Sequence, residues 1–247
     1  QNNMQLLYFI IFAIFPSFLW LIFFLKEDPR PEPKKTILKV FFYGVLSAIP
    51  VILIGVLVSI AMRSIGLNDY IVTLVSIVFV AAITEEIAKY CALKHSALKS
   101  SECDEPPDIM IYAITAAMGF AAFENLLFLL PDKEVLLISP NIYLKTVFAE
   151  SIIRFASGTF LHALTSGIVG YFVAISMMTT KHRKKIVIIG LLLAMLLHGL
   201  YNLSIIAGKE NEALFVIAPT ILIMLFIVIF YCFSKTRKMT SICKLEK

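Results

Sequence analysis

The hydrophobic residues of this chain fall into long blocks rather than into the short alternating runs of a soluble protein. Three of these blocks, Met4–Leu25, Ile37–Ala61 and Leu214–Phe233, carry almost no charge. A helix needs about 20 apolar residues to cross the hydrocarbon core of a bilayer. The pattern predicts seven transmembrane helices, near residues 4–25, 37–61, 70–94, 109–130, 147–178, 186–207 and 213–234.

The fifth predicted span, 147–178, is longer than one crossing requires. Its length predicts that it tilts, protrudes from the bilayer, breaks near Gly158, or follows a short interfacial helix. The other predicted spans have the length of single crossings. We therefore expect one all-α membrane bundle, with residues 1–247 forming a single domain.

Composition supports a membrane protein. Hydrophobic residues make up 60% of the 247, charged residues 16%, and the mean hydropathy is +0.89. A soluble domain is typically about half apolar and about a quarter charged. The net charge of +5 is therefore interpreted through membrane topology and contact with lipid headgroups, and we expect no nucleic-acid partner.

Lys and Arg concentrate in the loop after span one, the loop after span five and the C-terminal tail. Such residues in short loops mark the cytoplasmic side of a membrane protein. With seven spans, this bias predicts an external N-terminus and a cytoplasmic C-terminus. The basic residues of these three segments are Lys26, Arg30, Lys34, Lys35, Lys39, Lys181, Arg183, Lys184, Lys185, Lys235, Arg237, Lys238, Lys244 and Lys247.

Several ionisable side chains lie inside the predicted spans, where they are costly and therefore typical of functional sites. At 1.5 Å per residue, His198 and Glu124 lie about 18 Å and about 22 Å from the cytoplasmic starts of their spans. These depths predict one common level, in the middle to outer half of the bilayer. The set is Glu85, Glu86, Lys89, Glu124, Glu150, Arg154, His162 and His198.

In span three, Lys89 follows Glu85 by four residues and Glu86 by three, so its ammonium can reach either carboxylate on the helix surface. The two glutamates point about 100° apart, so one can face a cavity while the other braces a neighbouring helix. An internal ion pair that only fixes packing is the simpler interpretation. Two carboxylates beside one lysine leave an excess negative charge, which favours a general base.

Two further pairs share helical faces. His198 and Asn202 are four residues apart in span six, and Gly199 between them allows another backbone or a substrate to approach closely. Arg154 and His162 are eight residues apart in span five, and Arg154 fits a structural counter-charge for a glutamate better than a catalyst. Each of these polar residues can also serve packing alone.

Taken together, four motifs resemble the PrsW family of membrane proteases, which is related to the CAAX prenyl proteases and bacteriocin-processing enzymes. Phe18-Leu19-Trp20, Asp28-Pro29 and Glu32-Pro33 near the N-terminus also resemble that family. Phe128 stands four residues after Glu124, where the family usually has a tyrosine. In order along the chain, the four motifs are Glu85-Glu86-Ile87-Ala88-Lys89, Phe123-Glu124-Asn125, His162-Ala163 and His198-Gly199-Leu200-Tyr201-Asn202.

The resemblance implies an intramembrane endopeptidase that cleaves a single-pass membrane protein, such as an anti-sigma factor, on its external side in the plasma membrane of a bacterium. It implies that Glu85 is the general base that activates water, assisted by His162, and that His198 and Asn202 stabilise the oxyanion. The remaining residues would play supporting roles. Glu86 and Lys89 would position Glu85, and Glu124 would shape the site or protonate the leaving amine.

Alternatives remain open at this point. The first choice is catalysis without a cofactor, and the rival is a zinc protease in which His162, His198 and a carboxylate of Glu86 or Glu124 bind Zn²⁺. A proton- or cation-coupled transporter is an alternative of another class, because transporters also carry buried carboxylates and histidines. A catalytic site requires Glu85, His162 and His198 to meet in one polar pocket, bordered by Glu124. A packing role predicts instead that the two histidines lie more than about 12 Å apart.

Overall fold

The fold was analysed in a computed structural model that describes residues 2–100, 102–130 and 140–239. A π-helix spans Ser76–Ala81, and a 3₁₀ helix spans Glu212–Val216. The nine α-helices of the described residues are α1 (Asn2–Leu25), α2 (Lys34–Ser64), α3 (Asp69–Val75), α4 (Ala82–Ser96), α5 (Pro106–Phe128), α6 (Pro140–Ala156), α7 (Gly158–Met178), α8 (Arg183–Glu210) and α9 (Ile217–Thr236).

In the part of the chain that the structure describes, seven segments are long and apolar enough to cross a membrane, which confirms the predicted number of spans. The third span combines α3, the π-helix and α4, and the fifth combines α6 and α7. Within the described residues the secondary structure is helical throughout, without strands, as the hydrophobic pattern predicts. The external position of the N-terminus stays a prediction from the basic loops.

The fifth span breaks at Ser157, next to the glycine where a break is expected. Ser157 has φ −126° and ψ −101°, far from helical values, and α7 begins at the following residue. The indole nitrogen of Trp20 donates a hydrogen bond of 2.8 Å to the carbonyl of Phe155, and its ring stacks on Phe155 and Phe160. Trp20 on α1 therefore satisfies a carbonyl beside the break and holds the two halves in place.

Helix α5 lies at the centre of the bundle and is buried along almost its whole length. It packs against α2 without intervening side chains at two points. A Cβ added to Gly44 would lie 2.0 Å from the carbonyl oxygen of Ala116, and one added to Gly119 would lie 1.9 Å from that of Phe41. Small residues let membrane helices approach this closely, and the approach brings the polar end of α5 next to α4.

The outer surface of the bundle is apolar. Leu46, Leu53 and Leu57 on α2 and Ile223 and Ile227 on α9 are each 60% exposed or more. Exposed aliphatic side chains at this density are typical of lipid contact rather than of a water-facing surface. The protein is thus a multi-pass membrane bundle whose polar chemistry lies inside.

Candidate active site

The ionisable residues of four helices meet inside the bundle, in the half away from the basic loops. Glu85 and Glu86 lie near the start of α4, Glu124 near the end of α5, His162 near the start of α7, and His198 just past the middle of α8. Both histidines and the two glutamates of α4 are buried, at 8% exposure or less. The side chain of Glu124 is 33% exposed and borders the cluster.

The two histidine rings lie side by side. Their centroids are 5.3 Å apart, which excludes the dispersed arrangement expected for packing residues. One carboxylate oxygen of Glu85 and one ring nitrogen from each of His162 and His198 lie within 4.8 Å of one another. The predicted convergence of these three residues is confirmed.

His198 is oriented by Glu86. Its Nδ1 lies 2.8 Å from Glu86 Oε1, which also accepts from the hydroxyl of Thr165 at 3.0 Å. A carboxylate only accepts hydrogen bonds, so the proton of neutral His198 sits on Nδ1. Nε2 of His198 therefore keeps its lone pair, and it faces Glu85.

His162 is oriented in the same way by a different carboxylate. Its Nε2 lies 2.9 Å from Glu124 Oε2, which is also paired with the guanidinium of Arg154. Arg154 Nε donates to the side-chain oxygen of Asn125 at 2.6 Å, and Asn125 donates to Thr159 at 3.1 Å. The proton of neutral His162 therefore sits on Nε2, and Nδ1 is left with its lone pair. Arg154 is the counter-charge for a glutamate, as predicted.

The carboxylate of Glu85 faces one nitrogen of each histidine ring. Its Oε2 lies 3.8 Å from Nδ1 of His162 and 3.8 Å from Nε2 of His198. This oxygen is buried and has no hydrogen-bond partner among the described residues. An orphaned buried oxygen is costly in a protein interior, and it marks a position where a ligand or ion is expected.

Lys89 supplies the positive charge of the interior. Its Nζ lies 2.5 Å from Glu86 Oε1 and 3.0 Å from His162 Nδ1, and it faces the ring of Phe120 at 5.5 Å from the centroid. The expected pairing of Lys89 with one of the two adjacent glutamates is confirmed, and the partner is Glu86. Three carboxylates, those of Glu85, Glu86 and Glu124, thus lie beside two cationic side chains, Lys89 and Arg154.

The π-helix before Glu85 is clamped by α8. A Cβ on Gly199 would lie 2.8 Å from the carbonyl oxygen of Val78, so the expected close approach of a backbone at this glycine is confirmed. The side-chain amide of Asn202 donates to the carbonyl of Ile77 at 2.9 Å. A π-helix shifts the hydrogen-bond register and frees carbonyls, and Asn202 binds one of them. The predicted contact of Asn202 with an oxyanion would need its other amide hydrogen.

Comparison with known proteins now decides the family. A family model described as "PrsW family intramembrane metalloprotease" matches residues 32–233. The chain belongs to this family. Like its relatives, it is a membrane peptidase, and the transporter interpretation is set aside.

Three proteins named "Protease PrsW" illustrate the similarity. The protein of Geobacillus kaustophilus is 28% identical over 188 residues, which cover 76% of this chain and 75% of the relative. That of Oceanobacillus iheyensis is 26% identical over 230 residues, covering 93% and 96%. That of Halalkalibacterium halodurans is 27% identical over 218 residues, covering 88% and 92%. No solved structure matches the chain.

The donor set fits the metal of a PrsW family metalloprotease. One carboxylate and two imidazoles form the ligand set of many catalytic zinc sites. Nδ1 of His162, which lies 3.0 Å from the ammonium of Lys89, would exchange that contact for the metal. A carboxylate behind each ring, Glu86 behind His198 and Glu124 behind His162, is the usual outer support of such ligands. The sequence proposed Glu86 or Glu124 as the carboxylate ligand. In the structure, the carboxylate oxygen within 4.8 Å of a nitrogen of both histidines belongs to Glu85, whereas Glu86 pairs with Lys89 and Glu124 with Arg154.

Sequence reasoning missed two contributors to this PrsW family site. Thr165 donates to Glu86, and its position three residues after His162, on the same helical face, was the available signal. The π-helix left no recognisable signal, because Ser76–Ala81 has an ordinary apolar sequence. Glu150, in contrast, lies half-buried on α6 and takes no part in the hydrogen bonds of the cluster described here.

Proposed function

We propose that Glu85, His162 and His198 form the catalytic centre of an intramembrane endopeptidase, and that they hold a divalent metal ion, with Zn²⁺ as the candidate. One observation carries the proposal. The unpartnered oxygen of Glu85 lies 3.8 Å from Nδ1 of His162 and 3.8 Å from Nε2 of His198. The metalloprotease description of the family supports this choice over the metal-free mechanism.

A metal held by these residues would supply a Lewis acid that polarises the scissile carbonyl and makes water a stronger nucleophile. The residues of the site set the protonation states of the two imidazoles and the charges of the supporting carboxylates. Glu86 and Glu124 keep one proton on each imidazole, so that both rings present a lone pair to the same point. Lys89 and Arg154 stabilise those two supporting carboxylates in their charged form.

Glu85 is the proposed general base. One of its oxygens can face the histidines while the other accepts a proton from the attacking water. The water oxygen bonds to the carbonyl carbon, the C–N bond breaks, and the same proton is passed to the departing amine. Glu124 is a poor candidate for that last step, because its carboxylate is held by Arg154 and His162.

The protonation states of the histidines determine which residue can donate a hydrogen bond to the oxyanion. A neutral His198 with its proton on Nδ1 cannot donate from Nε2, so it acts as a ligand rather than as an oxyanion donor. Asn202 keeps one amide hydrogen that the bond to Ile77 does not use. We assign the oxyanion contact to that hydrogen, in addition to its hold on the π-helix.

The proposed substrate is a single-pass membrane protein, such as an anti-sigma factor, cut near its external membrane boundary. The site lies in the half of the bundle away from the basic loops, which is the external half in the predicted topology. Glu124 is the part of the cluster with an exposed side chain, so substrate and water are expected to enter beside it.

The test uses purified protein in detergent with a reconstituted single-pass substrate. Glu85→Gln is expected to lower cleavage by about 10³-fold, because it removes the base and one ligand while it keeps the volume. A chelator of zinc should abolish wild-type activity, and added Zn²⁺ should restore it. Mass spectrometry of the metal content should find zinc in the wild type and less in the variant.

Glu150→Gln is the matched control, since it removes a carboxylate on α6 outside the cluster. Its activity and metal content should equal those of the wild type. Full cleavage by Glu85→Gln would refute the assigned base. Activity that survives exhaustive chelation, in protein shown to be free of metal, would refute the metal and leave the water-only mechanism with the same residues.

A further inference from the structure

The Asp28-Pro29 and Glu32-Pro33 motifs take no part in the proposed reaction, since they lie at the other end of the bundle. Here the proline-rich segment between α1 and α2 packs on the start of α5. One carboxylate oxygen from each of Asp28, Glu32 and Asp108 lies within 4.8 Å of the other two. Three carboxylates are thus gathered from two separate parts of the chain.

The surrounding polar groups hold these carboxylates in place. Asp108 Oδ2 accepts from the backbone N–H groups of Asp104, at 3.1 Å, and Glu105, at 2.7 Å. Asp28 Oδ1 accepts from the backbone N–H of Arg30 at 2.9 Å, and the Tyr112 hydroxyl donates to Glu32. The cluster is therefore built into the fold and is not a set of loose surface side chains.

Positive charge is missing from this cluster. Within the described part of the chain, no lysine, arginine or histidine nitrogen lies within the 4 Å of an ion pair from Asp28, Glu32 or Asp108. The two nearby arginines are engaged elsewhere, Arg30 with Glu105 and Arg237 with Glu27. Buried carboxylates without a counter-ion are strongly unfavourable.

Asp28 provides a second and independent observation. The residue is only 7% exposed, and its Oδ2 is buried without a hydrogen-bond partner among the described residues. Burial raises the pKa of Asp28, and burial together with the neighbouring Asp28 raises the pKa of Glu32, although the hydrogen bond from Tyr112 opposes that rise. Either protons or a cation must offset the charge of this cluster at neutral pH.

We propose that Asp28, Glu32 and Asp108 bind a hard divalent cation of the size of Ca²⁺. Carboxylate oxygens are the ligands that such cations prefer. Calcium–oxygen distances of about 2.3–2.6 Å allow ligands on opposite sides to lie about 5 Å apart, whereas Mg²⁺ allows only about 4.2 Å. Ca²⁺ also accepts carboxylates in a flexible geometry, whereas Mg²⁺ requires a near-ideal octahedron. Three carboxylates within 4.8 Å of one another, each held by the fold, therefore suit Ca²⁺. The ion would tie the proline-rich segment to α5.

The experiment is direct binding of radioactive Ca²⁺ to full-length protein in detergent, after chelation and removal of the chelator. One ion per chain is expected to bind. The melting temperature should rise by about 5–10 °C when Ca²⁺ is about 100-fold above its Kd, and Mg²⁺ should have a smaller effect. Glu32→Gln and Asp28→Asn should each weaken binding at least tenfold, and both lie outside the helices, where they disturb folding least.

Two controls separate this site from others. Glu102→Gln removes a nearby exposed carboxylate and should bind Ca²⁺ like the wild type. Glu85→Gln should also bind it normally, because the histidine-containing centre does not favour Ca²⁺, so this result is independent of the proposed catalytic mechanism. Unaltered Ca²⁺ binding by both Glu32→Gln and Asp28→Asn would overturn the proposal. So would an absence of binding by the wild type, and a stronger effect of Mg²⁺ would overturn the assignment of size.

Discussion

Two buried acidic clusters lie near opposite ends of α5, about 24 Å apart along the helix. At one end, Glu124 belongs to a cluster in which Lys89 and Arg154 each pair with a carboxylate. At the other end, Asp108 belongs to a cluster whose three carboxylates have no such partner among the described residues. The same helix thus carries a carboxylate paired with a cationic side chain at one end and a carboxylate without such a partner, among the described residues, at the other.

The difference agrees with the ligand proposed for each cluster. The paired carboxylates orient imidazoles, so their counter-ions belong to the chain and one carboxylate, Glu85, remains free for chemistry. The acidic cluster has no imidazole to orient, and its charge is offset only from outside, by protons or by a cation. A substitution in the paired cluster should therefore affect activity and metal affinity. A substitution in the acidic cluster should affect the pH dependence of stability.

Among the residues that support the proposed metal ligands, the largest effect is expected from Glu124→Gln in the paired cluster, although it is smaller than that expected for Glu85→Gln. The glutamine keeps the volume but leaves Arg154 without its carboxylate and loosens His162. Loss of such outer support typically lowers metal affinity or activity by about 10–100-fold. We expect kcat/KM for a membrane substrate to fall in that range and zinc to dissociate more readily. Unchanged kinetics and metal affinity would show that Glu124 does not orient His162.

A smaller effect is expected from Asn202→Ala, which alters a part of the site held by backbone contacts rather than by charge. Loss of the bond to Ile77 should loosen the π-helix that precedes Glu85, and kcat should fall about tenfold with KM nearly constant. Zinc affinity separates the two roles of Asn202. It should fall if the residue positions Glu85, and it should stay constant if the residue contacts only the oxyanion.

The smallest effect concerns the pH dependence of stability at the acidic cluster. Because the pKa of Glu32 is raised in the folded protein, the folded state holds its proton more tightly than the unfolded state does. Stability is then highest below the unfolded pKa of about 4.3 and decreases as the pH rises through the higher folded value. Tyr112, Asp28, Asp104 and Asp108 surround this carboxyl group.

In chelator, the melting temperature of Glu32→Gln should therefore fall less than that of the wild type as the pH rises above about 4.3. Added Ca²⁺ should stabilise the wild type more at neutral pH than at acidic pH, because the ion competes with protons for the same carboxylates. Parallel melting curves of the two proteins across this range would contradict the raised pKa of Glu32.

Most of the fold was accessible to sequence reasoning, because each span must satisfy its backbone internally and show its apolar side chains to lipid. The seven spans follow from that constraint. A break near Gly158 was one of the possibilities that the length of the fifth span left open, and the structure selects it. The pairings of Lys89 and of Arg154 with glutamates were also foreseeable, since a buried charge needs a partner. The sequence could not show which glutamate pairs with Lys89 and which with Arg154, because that depends on the rotation of four helices about their axes.

The sequence by itself determined the membrane class, the number of spans, the family resemblance and most of the candidate residues of the site. Only the tertiary structure decided that Glu85, rather than Glu86 or Glu124, faces both histidines, and that Asp28 and Glu32 meet Asp108. The reason is physical. Composition and periodicity give information about one helix at a time, whereas the site is formed by side chains from different helices. Their distances are set by contacts such as those of Gly44 and Gly199, which let two backbones approach.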